Sequence, residues 1–247
     1  LELILNQLGP TALIFREPEQ ILTLGAIVSD LIFDIQIPVI CLSAKDYEKT
    51  SLAESIELKN HQLILPDQTI GLSSTDLESL NLSEVDRSFL RGDHGPAAKA
   101  AIETICVMAA VESAQELITV KRGHIDGCIL AHNANLIFAE KMVGLGAKIT
   151  IPTTINAISV DRENWRNSGI SSDFGERASR LADAYTSMGV KSTFTCAPYL
   201  LNEGPVFGEN IGWSESNAVV FANTVIGART QKHPDYLDLF IAMTGRA

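Results

Sequence analysis

A histidine, two acids and two cysteines stand in short polar clusters, each of which closes an apolar segment. The clusters are GHIDGC from Gly123, PTTIN from Pro152, TCAPY from Thr195, WSESN from Trp213 and GART from Gly227. In an open α/β layer, side chains at the carboxyl ends of strands and the amino ends of the following helices converge on one crevice. His124 and Asp126 lie in a glycine-bounded turn with the spacing of a proton carrier and its orienting carboxylate. Asp126-Gly127 is equally a common turn pair. Glu215 reads either as a general acid or base or as a first-turn acid that favours the helix dipole.

The remaining candidates are binding groups. Thr153, Thr154 and Asn156 follow an apolar run and offer hydroxyls and an amide to a carboxylate or phosphate, although the same residues cap helices and make turns. Arg229 has the planar fork that grips a carboxylate in a bidentate way, and an arginine at a helix end also satisfies carbonyls. Cys128 and Cys196 are too far apart for a local CxxC, so only the fold brings them together around iron or zinc. Cys106 in an apolar helix and Cys41 in an apolar strand read as buried packing residues.

The elements that position these groups belong to a chain of 247 residues, 46% hydrophobic and 20% charged, enough for one large domain or two small ones. A net charge of −11 and a pI near 4.9 argue against a nucleic-acid or anionic-membrane partner, which needs a surplus of Lys and Arg. No apolar run approaches the roughly 18 residues of a membrane span, and a cytoplasmic location is expected. Four scattered cysteines need no disulfide framework. Leu1 opens inside an amphipathic pattern and Ala247 closes directly after a helix, as expected of part of a longer chain.

TALIFRE, QILTLGAIVSDLIF and IPVICL alternate as strand, helix and strand, a βαβ unit. ESIEL and HQLIL follow as candidate strands, and a polar stretch from Leu72 to Ser83 marks a boundary between domains 1–71 and 72–247. Ser83 with Asp86 reads as a capping box, and Asp93 followed by Pro96 as the start of a long helix. Beyond it strands ELITVK, AKITIP and STFTC alternate with helices, ending in SNAVVFANTVIG, so a layered α/β domain with mostly parallel strands is expected. Gly146 and Gly189 sit where helices stop.

GHIDGC, PTTIN with Asp161 and Trp165 after it, TCAPYLL, FGENIGWSESNAVVFANTVIGART and the ending DYLDLFIAMTGRA together resemble the large-subunit core of the aconitase X family. LNQLGPTALIFREPEQILTLGAIV with IPVICL is similar to the latter part of its small swivelling domain. The resemblance implies a small swivelling α/β domain before an aconitase-like large domain, as in the fused type of the family. It further implies a hydro-lyase using an iron–sulfur cluster or iron, the fused type dehydrating cis-3-hydroxy-L-proline to Δ1-pyrroline-2-carboxylate. Mevalonate 5-phosphate, the substrate of the other branch, is the alternative.

On that resemblance Cys128, Cys196 and a third ligand outside the chain hold the iron that takes the hydroxyl. Arg229, with Thr230, Ser216 or Asn217, holds the carboxylate, joined by Thr153, Thr154 and Asn156. His124, Asp126 or Glu215 moves or orients protons, in no fixed order. The chain departs from the family pattern at Lys121-Arg122 and at Ala157-Ile158. A non-catalytic module that keeps the scaffold is the reading from another class. A zinc hydrolase is weaker, because no HExxH or close histidine pair supplies its ligands.

Overall fold

Three separate sheets organise the computed structural model, which describes Leu1–Ala247. At the amino end a short helix α1 (Glu2–Leu5) leads to β1 (Leu13–Phe15), α2 (Ile21–Phe33) and β2 (Val39–Cys41). β1 and β2 pair in parallel, Leu13 opposite Val39, which is the βαβ unit the periodicity predicts. Cys41 is exposed rather than packed inside. The strand's alternation explains this: Ile40 faces the core, so its neighbours face outward.

Helix α3 (Ala44–Leu52) has no apolar stripe to announce it and buries only Thr50. It forms because Ser43 caps it, its Oγ accepting the Asp46 amide. An antiparallel meander of β3 (Glu57–Lys59), β4 (Gln62–Ile64) and β5 (Thr69–Gly71) follows, its third strand unforeseen.

Helix α4 (Glu84–Leu90) starts with the expected reciprocal Ser83–Asp86 capping box. The longer α5 (Pro96–Val111) is entered differently from the expectation. Its N-cap is Gly95 with Pro96 in the first turn, while Asp93 pairs with Arg91 at 3.0 Å.

The third sheet carries the polar clusters. It is parallel, in the order β7-β6-β8, built from β6 (Gly123–Ile125), β7 (Thr153–Ile155) and β8 (Gly212–Trp213). Two of these strands begin later than the apolar runs suggest. Residues 116–121 and 147–152 instead join other partners: Ile118 and Val120 donate to the carbonyls of Ala247 and Gly245, Ile149 to Met188 and Thr150 to Ala242. Residues 191–195 run beside β7 through Lys191 N to Thr153 O and Thr195 N to Ile155 O, but Phe194 at φ 42° interrupts a regular fourth strand.

Helices α6 (Asn133–Gly144) and α7 (Ser172–Ser187) pack on each other. Gly146 and Gly189 follow them with φ of 79° and 107°, the left-handed backbone that ends a helix. α8 (Ser216–Phe221) widens into a π turn over Ala222–Ile226.

Finally α9 (Leu237–Thr244) packs between the β6–β8 sheet and α5, with every residue buried. Leu239, Phe240 and Ile241 have no exposed surface, each contributing about 1.5–3 kcal/mol of apolar burial. The main core also takes Leu24, Val28 and Ile32 of α2, so the first part of the chain shares a core with the second.

Candidate functional site

Parallel pairing sets six side chains in two rows on one face of the third sheet. Register places His124 opposite Thr154 on one side and Trp213 on the other. Side chains two residues further along a strand return to the same face. Asp126, Asn156 and Glu215 therefore form the second row, just beyond the carboxyl ends of the strands. The opposite face meets α9, and Thr153 turns away from the rows, buried with its hydroxyl donating to Ile151 O.

In the first row His124 has no exposed surface, and its Nδ1 lies 2.8 Å from Thr154 Oγ1. The Trp213 ring meets it edge-on at 6.0 Å. Burial pushes the His124 imidazole down to about 4, against a smaller opposing pull from Asp126, so it is neutral at pH 7. The sequence places His124 in a turn; it lies inside β6 instead. Its Nε2 and the buried Ser214 Oγ have no hydrogen-bond partner.

The second row is held by one amide. Asn156 Nδ2 donates to Asp126 Oδ1 and to Glu215 Oε2, both at 2.5 Å, while its Oδ1 accepts the Ala157 amide at 2.7 Å. Every polar atom of that side chain is committed, so two carboxylates are fixed against one neutral donor. Lys232 Nζ stands 3.8 Å from Asp126 Oδ2.

Asp238, in the first turn of α9, lies directly behind. Its Oδ2 accepts the Asp126 amide at 2.7 Å and its Oδ1 the Leu239 amide at 2.7 Å. Burial first, then the charges of Asp235 and Asp126, push its carboxyl up to about 7, against the two amide hydrogen bonds. Tyr185 Oη donates to Gly127 O at 3.2 Å, bracing the same turn.

The other candidates divide. Asn217 and Cys196 meet on the rim, Asn217 Nδ2 donating to Cys196 O at 3.1 Å and to Tyr199 Oη at 3.3 Å. Ser216 is exposed at the start of α8. Thr230 braces the first row from behind, its Oγ1 accepting the Trp213 amide at 3.2 Å. Arg229 is exposed and lines a separate cavity of about 430 Å3 with Ile105, Met108 and Ile241. A smaller cavity of about 240 Å3 opens beside Thr154 and Trp213, where Arg122 pairs with Glu209 and Lys191 with Glu203.

The cysteines do not fit a metal centre made from these residues. Cys128 is sealed in the main core, where its Sγ donates to Asn156 O at 3.3 Å and Ala157 O at 3.5 Å. Burial and the neighbouring Asp238 and Asp126 push that thiol up. Cys196 is exposed, and within this chain no three His, Cys, Asp or Glu side chains are arranged so that they could hold a metal ion.

Sequence reasoning passed over Lys232, Asp238 and Tyr185. An acid inside the apolar run LDLFIAMT was the available signal for Asp238, since an unpaired buried carboxylate is costly. Lys232 and Tyr185 carried no signal.

The model "Aconitase X first domain" matches residues 79–247 and "Aconitase X swivel domain" residues 1–65. The whole chain is 46% identical to 43% of the length of a cis-3-hydroxy-L-proline dehydratase of Hypocrea jecorina. It is 44% identical to 44% of the length of a protein of the same name from Pseudomonas aeruginosa. The chain thus spans less than half the length of these curated relatives. The crystal structure of Thermococcus kodakaraensis aconitase X in its holo-form is similar with a TM-score of 0.62 at 30% identity, over 68% of this chain and 42% of that one.

Proposed function

The chain belongs to the aconitase X family, and from that premise we propose that it supplies part of the active site of a hydro-lyase that dehydrates cis-3-hydroxy-L-proline. Residues 1–71 are the latter part of the swivelling domain and 72–247 the first part of the large one. The carrying observation is the Asn156 amide fixed between Asp126 and Glu215. Two carboxylates with a single lysine beside them suit a cationic ring nitrogen, which the amino acid has and mevalonate 5-phosphate lacks. A phosphate in their place would meet like charge. No helix of the chain is long and apolar enough to cross a membrane.

The reaction removes the proton from C2 and the hydroxyl from C3, which leave the substrate on balance as one water molecule, and a ring enamine remains. Transfer of the nitrogen's proton to C3 then gives the imine Δ1-pyrroline-2-carboxylate. Asp126, ion-paired to Lys232, orients the ring nitrogen. Glu215, with no cation beside it, takes the C2 proton. His124 stays neutral behind the row and holds Thr154. Family membership suggests iron or an iron–sulfur cluster, and the donors that this chain brings together do not by themselves fit it.

The test is turnover of cis-3-hydroxy-L-proline by the intact enzyme, followed by proton NMR of the C2 position. Glu215→Gln keeps the hydrogen bond to Asn156 within reach but cannot take a proton. It is expected to lower kcat by about 100-fold or more, and an undiminished kcat would remove Glu215 from the role of base.

A further inference from the structure

We propose that Asp238 is a positioning residue for the dehydration, holding Asp126 in place by accepting that residue's own backbone amide. The inference rests on the reading of Asp126 as a substrate-orienting carboxylate. It concerns a group that neither touches substrate nor shares the sheet.

Asp126 has no ladder to fix it. β6 ends at Ile125, and the next residues form a tight turn in which the Cys128 amide donates back to Asp126 O at 2.7 Å. Asn156 and Lys232 meet the Asp126 carboxylate at its tip, and the path of the side chain out of the turn depends also on what holds its backbone. That hold is the 2.7 Å hydrogen bond to Asp238 Oδ2, spanning 112 residues of sequence.

Asp238 is itself over-determined. It has no exposed surface, its other oxygen is used by the Leu239 amide, and α9 is packed on all sides. The residue that delivers the chain into this helix, Tyr236, sits at φ 77° and ψ −37°, a conformation that a non-glycine residue keeps only where surroundings impose it. Tyr236 is fixed by its hydroxyl, which accepts Asn135 Nδ2 at 3.2 Å, and by its ring against Phe138 at 4.2 Å. An acid in an otherwise apolar helix start is thereby aimed at one amide.

Two readouts in the intact enzyme test this. Hydrogen exchange at the Asp126 amide should accelerate by about tenfold or more in Asp238→Asn, with the Ile125 amide unchanged. kcat should fall by about 100-fold with KM within threefold, since the cost is misplacement rather than lost binding. The loss in D126A/D238N should not exceed that in D126A alone. If D238N does not accumulate as folded protein, D238E, whose carboxylate stands one methylene further out, carries the same comparison. An unchanged exchange rate, a wild-type kcat, or losses that multiply in the double variant would each overturn the proposal. Should the wild type leave cis-3-hydroxy-L-proline untouched, the functional reading falls, while the exchange measurement still decides what Asp238 does to the turn.

Discussion

Buried imidazoles make this protein sensitive to acid. Burial holds both His124 and His233 at about 4 in the folded chain, whereas an unfolded histidine takes its proton near 6.5. Between those values the unfolded state binds more protons, so stability is lost as pH falls from about 6.5 towards 4. Asp238 works the other way: raised to about 7, it stabilises fully below its unfolded value near 3.8 and loses that contribution as pH rises towards 7. Two histidines outweigh one aspartate in the shared window. The drop in unfolding free energy between pH 6.5 and 4.5 should shrink by about 2 kcal/mol in His124→Gln. Chemical denaturation at the two pH values measures it, and an equal drop in wild type and variant would mean that His124 is not held neutral.

At the scale of elements, the close approach of α9 to the sheet depends on a missing side chain. A Cβ on Gly212 would lie 2.6 Å from Ile241 Cγ2, so Gly212→Ala must push the helix away. The expected cost is about 1–3 kcal/mol, read as a lowered Tm, together with reduced turnover because the same helix carries Asp238. A variant with unaltered Tm would show that the helix has room to move. The alternation of strands and helices was legible in the sequence because amphipathic periods and the Ser83 cap are local signals. Strand limits were not: residues 118–120 are as apolar as a strand, yet pair with the chain's last residues, and no window contains both partners. The polar clusters were legible as types. Their division into Asn156, Asp126 and Glu215 on one face, with Arg229 beside another cavity, depends on register, which only the assembled sheet sets.

Across the whole molecule, one ion pair ties the start of the second part to its end. Arg246 donates to both oxygens of Asp86, at 2.6 and 3.1 Å, and to Thr119 Oγ1 and Leu117 O at 2.6 Å. Burial pushes the Asp86 carboxyl up, but the hydrogen bonds from Arg246 and Ser83 win and hold it below the usual range. Arg246→Ala leaves a carboxylate with no exposed surface unpaired and should cost about 3–5 kcal/mol in denaturant unfolding. An effect under about 1 kcal/mol would mean that water replaces the guanidinium there. The two-row face has a consequence of another kind, for how such a protein diversifies. Because neighbouring side chains on a strand point to opposite sides, a single added or deleted codon inside β7 would turn Thr154 and Asn156 towards the helix while leaving the backbone ladder paired. Substitution can tune the six positions one at a time, whereas an insertion or deletion exchanges both positions of a strand at once, so gradual change of this face runs through point changes and leaves strand length fixed.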